Sequence, residues 1–309
     1  MVTGRTDANR SGMILTGMRE RIYRFSLRHN LAYRLTRKMS GVGLRAMTIS
    51  EFIYGRSGAD YGIGPNEKIK LVEAFDEINK GIESATSTIV QVTLAKEIFS
   101  IPSAIEGDIV ECGCFKGAST AALSVVCELV KRRLVACDSF QGLPDDNLQR
   151  HEAPHFGIYG YYRKGMFCGR IEEVRKNISD YGRIELCEFV EGYYSESLQK
   201  SLKRPVAFAF LDVDLAASTY DCIRAIWPVL VNGGKIFTDD AGDMACVKPF
   251  FDDAWWRQTF ACEAPGFTGS GCGIPITEHH SSIGYAIKGT GYAPLQRAAH
   301  LFYPDSISS

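Results

Sequence analysis

From about residue 105 the chain alternates short, nearly continuous apolar runs with longer stretches of helical spacing. The runs at 109–112, 133–140 (RLVACDSF), 184–192 (IELCEFVEG), 206–214 (VAFAFLDVD) and 235–240 (KIFTDD) read as strands. Between them, 118–131, 170–181, 195–202, 217–230 and 244–259 read as helices. Strands apolar on both faces belong to a parallel sheet covered by helices on either side. The end differs: FACEAPGF and SSIGYAIKG predict an antiparallel pair joined by a glycine-rich loop. The expected fold is therefore α/β, a doubly wound Rossmann-like sheet, mostly parallel with an antiparallel last strand. Helices near 67–80 and 84–100 lead into it. Further upstream, Tyr23, Leu27, Leu31 and Leu35 form an apolar stripe on a basic helix.

These changes of pattern divide the chain into a basic amphipathic arm (1–60), a helical lead-in (61–104), a main domain (105–292) with a long loop at 141–168, and a tail (293–309). Composition adds little: 45% hydrophobic and 23% charged residues are ordinary for a globular protein. No apolar run has membrane-spanning length and no secretory pattern opens the chain, so a cytoplasmic protein is expected. The ten cysteines include no CxxC pair, which favours buried thiols over zinc or disulfides. Charge is more informative. Residues 1–50 hold ten Lys/Arg against Asp7 and Glu20, a surplus of +8 that leaves −9 for the rest. The arm thus suits an anionic membrane surface, where contact would be peripheral, or packing on the protein's own body or a twin subunit, which is favoured. A homodimer or higher homo-oligomer is expected. Nucleic acid is not, because the main domain is acidic.

In a doubly wound sheet, ligands bind at the carboxyl ends of the strands. Here every parallel run ends in acid: Glu111, Asp138, Glu191, Asp212 with Asp214, and Asp239 with Asp240. Converging carboxylates repel unless a cation or hydroxyl-rich ligand sits among them. A dinucleotide calls for GxGxxG, but residues 111–117 read ExGxxxG through Glu111, Gly113 and Gly117. S-adenosylmethionine fits better. Glu111 suits its ammonium, amides near Ala118 and Ser119 its carboxylate, Asp138 its ribose hydroxyls, and Glu191-Gly192-Tyr193 its adenine. Asp212, Asp239 and Asp240 end neighbouring strands and make an oxygen set suited to Mg²⁺. Aspartates also cap helices; capping accounts for one of the three, not for all.

Four motifs together, GDIVECGCFKGAS, CDSFQGLP, LDVDLAAST and NGGKIFTDD, resemble the macrocin-type (TylF-type) metal-dependent O-methyltransferases over roughly 105–260. Asp212 and Asp239 stand 27 residues apart, as in that family. The resemblance implies a class I S-adenosylmethionine-methyltransferase fold, with donor contacts at Glu111, Gly113, Asp138 and Ser139. It implies Mg²⁺ on Asp212, Asp239 and Asp240, with Asp212 beside the donor and a candidate base. The acceptor it implies is a hydroxyl of a sugar or other small natural-product-like molecule. Ala216 and Ala241 stand where the family carries aromatics.

The long loop reads as a lid, carrying His151, His155, Phe156, Tyr159, Tyr161, Tyr162 and Phe167. Its aromatics either stack on an acceptor or pack the lid down. His155 is a candidate base if the lid closes; His279 and His280 precede the last strand. Two rival functions use the same residues: a catechol-type O-methyltransferase acting on a phenol, and a donor-binding module without turnover, against which three retained acids argue.

Overall fold

The computed structural model describes residue 43 and residues 45–145, 161–274 and 282–289. Most of the basic arm, His151, His155, Phe156, Tyr159, His279, His280 and the tail lie outside the described residues.

Helices α1 (45–54), α2 (Pro65–Gly81) and α3 (Thr88–Phe99) precede the sheet. There follow β1 (Asp108–Cys112), α4 (Ala118–Val130), β2 (Leu134–Asp138), α5 (Ile171–Tyr181), β3 (Cys187–Glu191), α6 (Tyr194–Ser201), β4 (Val206–Leu211), α7 (Ala216–Ile226) and β5 (Leu230–Thr238). The described chain closes with α8 (Met244–Val247), α9 (Asp253–Phe260) and β6 (Gly284–Ile287). The six strands lie in the order β3-β2-β1-β4-β5-β6. All neighbours are parallel except β5 and β6, which pair antiparallel with Lys235 opposite Ile287. Strand order reverses between β1 and β4, so a crevice opens at their carboxyl ends.

Alternation along each strand feeds two cores. Ile109, Leu134, Phe208, Phe210 and Phe237 face α2, α3 and α4. Val110, Cys112, Ala209, Leu211 and Ile236 face the opposite side, with Ile223, Ile226 and Trp256. All ten cysteines are unpaired; six are buried, as the reading of buried thiols expects, Cys187 and Cys262 are half-buried, and Cys168 and Cys272 are exposed and depart from it.

Two other expectations change. The segment 244–259 is not one helix. Pro249 cannot continue the hydrogen-bond ladder, a 3-10 turn spans Lys248–Phe251, and Asp252 starts α9 by accepting the Trp255 amide at 3.1 Å. The expected terminal antiparallel pair reduces to a single bridge, Thr268 with Tyr285; the antiparallel ladder of β6 is with β5 instead.

Candidate active site

A cavity of about 540 Å³ opens at the reversal point, between the ends of β1, β2, β4 and β5. Gly113, Asp138, Ser139, Tyr193, Asp212, Asp239 and Asp240, all read from the sequence as site residues, line it. Glu111, Gly117, Ser119, Glu191 and Gly192 do not.

The glycine after β1 has a specific reason. Gly113 has φ +95°, and a Cβ there would lie 1.8 Å from the Asp212 carbonyl oxygen. Its crowding comes from the neighbouring strand end, not from the open cavity. The same junction is tied by the Asp212 amide donating to Cys112 O at 2.8 Å and the Gly113 amide donating to Cys137 O at 3.0 Å. Gly117, φ +88°, begins α4, where Val174 Cγ1 would lie 3.1 Å from a Cβ.

Asp138 ends β2 and orders the turn after β1. Its Oδ2 accepts the Cys114 amide at 2.7 Å and its Oδ1 accepts the Phe140 amide at 2.8 Å. Each oxygen keeps a further lone pair for a hydroxyl in the cavity. Ser139 donates to Gly142 O and accepts from the Gln141 amide, which shapes the start of the lid loop.

Glu111 was expected at the rim. It is instead the fourth of five residues in β1, between Ala136 and Phe210, on the face that carries Ile109. It is fully buried, and neither carboxylate oxygen has a hydrogen-bond partner among the described residues; the Thr120 hydroxyl is also unpartnered. Burial pushes its pKa up to about 7. Ser119, Thr120 and Cys114 stand close enough to offset part of that rise without completing a bond.

The acidic cluster is built by the two strand ends together. Carboxylate oxygens of Asp212, Asp214 and Asp240 lie within 4.8 Å of one another. Asp240 is the keystone: its Oδ2 accepts the Asp214 amide at 3.0 Å and the Val213 amide at 3.4 Å. Asp214 adopts φ +60°, a left-handed conformation that a non-glycine residue holds only under constraint. Asp239 faces the same cavity and accepts from Ser282 Oγ at 2.7 Å. Burial raises the Asp212 and Asp240 carboxyls well above their ordinary range, and the neighbouring carboxylates raise them further. An oxygen-only set of close carboxylates is what a hard divalent cation takes, so the donor chemistry fits Mg²⁺. Asp214 carried no metal role in the sequence reading. Its signal was the D-x-D spacing after β4, which the left-handed turn folds back toward Asp240.

The described end of the lid loop reaches the same place. Tyr162 is buried against Leu143, Met166 and Leu215 and meets Tyr161 and Phe167 edge-on, with ring centroids 4.9 and 6.2 Å away. Its phenol, beside Asp214 and Asp240, is held well above its ordinary range, first by burial and then by those charges.

The sequence model of the Macrocin-O-methyltransferase (TylF) family matches residues 93–264, more than half of the chain. The chain belongs to this family. Two curated relatives, both from Streptomyces, match parts of it. The 8-demethyl-8-(2,3-dimethoxy-alpha-L-rhamnosyl)-tetracenomycin-C 4'-O-methyltransferase of Streptomyces olivaceus is 29% identical over 146 residues, 46% of this chain and 56% of that protein. The demethyldecarbamoylnovobiocin O-methyltransferase of Streptomyces niveus is 26% identical over 140 residues, 44% of this chain and 53% of that protein. The match thus spans little more than half the length of either relative. The solved O-methyltransferase NovP is similar with TM-score 0.49 and 19% identity, covering 74% of this chain and 81% of that one. The TylF match takes in β1 to β5 and hence the whole acidic cluster. Among the described residues, no helix is long and apolar enough to cross a membrane.

Proposed function

We propose that this TylF-family chain is an S-adenosylmethionine- and Mg²⁺-dependent O-methyltransferase acting on a hydroxyl of a sugar or similar small acceptor. The observation that carries the reading is one cavity containing both a donor-type turn (Gly113, Asp138, Ser139) and a carboxylate cluster (Asp212, Asp214, Asp240, with Asp239 beside it). The names of the relatives, a rhamnosyl-tetracenomycin enzyme among them, favour a sugar hydroxyl.

Asp138 would hold the ribose hydroxyls and Tyr193 would border the adenine. Asp212, Asp214 and Asp240 would hold the cation, with Asp239 positioned by Ser282 at its margin. Bound there, the sulfonium supplies the methyl group and the cation acidifies the acceptor hydroxyl. The chain's own part is orientation and proton handling. Asp212, buried among like charges, is suited to take the hydroxyl proton. Tyr162 and Phe167 line the cavity, where they would help to exclude water from a bound acceptor.

The test uses purified protein, methyl-labelled donor, Mg²⁺ and a panel of 6-deoxyhexose glycosides and vicinal phenols. Transfer to a sugar hydroxyl that stops on adding a chelator and returns with Mg²⁺ supports the reading. Transfer only to phenols, or transfer indifferent to chelation, overturns it.

A further inference from the structure

Asp214 is gripped at both ends of its own backbone. Its amide donates to Asp240 Oδ2 at 3.0 Å, and its carbonyl oxygen accepts from Cys246 Sγ at 3.2 Å. A carbonyl cannot donate, so the thiol supplies the proton. Both grips come from one short segment. The Asp243 amide donates to Asp240 O at 2.9 Å, and Asp243 starts α8 by accepting the Ala245 amide at 2.9 Å. That anchorage sets Cys246, fully buried in α8, against the turn after β4. Cys246 does not itself line the cavity.

The two bonds fix different things. Holding the amide orients the peptide plane before Asp214; holding the carbonyl orients the plane after it. Together they set both φ and ψ, and so the direction of the side chain. The conformation they set, φ +60°, is one that a residue bearing a Cβ leaves unless its surroundings over-determine it. In it, the Asp214 carboxylate lies within 4.8 Å of those of Asp212 and Asp240. We infer that Cys246 is a positioning residue of this cluster: by holding the Asp214 carbonyl it keeps the Asp214 carboxylate turned toward Asp212 and Asp240. The inference rests on the proposed function, which gives the cluster a divalent cation, and adds to it a residue outside the cavity wall. Groups that orient ligands without touching the ion set its affinity. A thiol suits the place, since it gives the carbonyl a proton without adding a charge beside the acids.

The experiment titrates the full chain with Mn²⁺ alone, without donor or acceptor, and reads the free ion by electron paramagnetic resonance. Cys246→Ala and Cys246→Ser lose the same sulfur packing, but serine keeps a donor. The Mn²⁺ dissociation constant should rise on the order of tenfold in the alanine variant and stay within about threefold of the wild type in the serine variant. In an Asp214→Asn background, where the carboxylate to be positioned is gone, Cys246→Ala should change the remaining Mn²⁺ binding by less than about twofold. If circular dichroism shows the alanine variant unfolded, Cys246→Val, which fills the space without a donor, replaces it with the same expectation. Equal weakening in serine and alanine, no weakening in either, or the full tenfold loss in the Asp214→Asn background overturns the inference and leaves cation binding standing. A wild-type chain that takes up no Mn²⁺ overturns the cation of the proposed function, and the inference falls with it.

Discussion

Asp240 Oδ2 accepts the backbone amide of Asp214 across 3.0 Å, so the acid following β5 also holds the turn that follows β4. One side chain thereby does two things: it keeps two strand ends in register and contributes to the carboxylate cluster. The roles separate by substitution. Asp240→Asn keeps an oxygen for the Val213 and Asp214 amides, so its stability should stay within about 1 kcal/mol of the wild type. Asp240→Ala leaves those amides without their acceptor and should lose roughly 1–3 kcal/mol. Added Mg²⁺ should raise the melting temperature of the wild type and of neither variant, and methylation should fall on the order of 100-fold or more in both. A Mg²⁺-dependent shift that survives in Asp240→Asn would remove Asp240 from the cation's ligands.

Gly113 and Asp212 are crowded by their backbones. Gly113→Ala would force a Cβ to within 1.8 Å of a carbonyl oxygen at φ +95°. The expected cost is more than about 3 kcal/mol, read by urea denaturation. Gly165→Ala is the control. It too has positive φ, +79°, but open space around its Cβ, and should cost about 1 kcal/mol. Equal costs at the two positions would mean that the β1–β4 junction yields, and that glycine is kept at 113 for the ligand alone.

The parallel sheet was legible because burial on both faces writes itself as unbroken apolar runs, such as Val206–Leu211. The antiparallel edge was legible too, since Gly284–Ile287 is short and set apart by a glycine-rich stretch. What the pattern hid depends on contacts distant in sequence. The break at Pro249 shows locally, yet the helical spacing of 244–259 masks it until Asp252 is seen to cap a new helix. Glu111 reads as a strand-end acid, but it lies one residue before the end of β1, and the strand's alternation sends its side chain under α4 instead of to the rim. Asp214 joins the cluster only because Asp240, from another strand, fixes its left-handed turn.

Tyr162 ties the lid loop to the acidic cluster. Its ring packs with Leu143, Met166 and Leu215, and its phenol stands beside Asp214. Tyr162→Phe keeps the packing, whereas Tyr162→Ala removes it. Tryptic cleavage after Arg163 or Lys164 should therefore accelerate in Tyr162→Ala and stay near wild type in Tyr162→Phe. The acceptor KM should rise on the order of tenfold in the alanine variant. Matching proteolysis rates in the two variants would show that the ring does not hold the loop.

Glu111 links stability to pH. An ordinary glutamate titrates near 4.5, whereas burial pushes the folded carboxyl up to about 7. Between these values the folded protein holds a proton that the unfolded chain has released. Stability therefore falls as pH rises through that window and levels off above the folded pKa. Glu111→Gln, neutral at every pH and similar in shape, removes this contribution. In donor-free protein the variant should match the wild type at about pH 4 and exceed it by on the order of 3 kcal/mol at about pH 8, measured by urea denaturation. The difference between the two proteins isolates Glu111 from the other raised carboxyls, which titrate in both. A flat difference across the range would mean that Glu111 is solvated or paired in the folded protein.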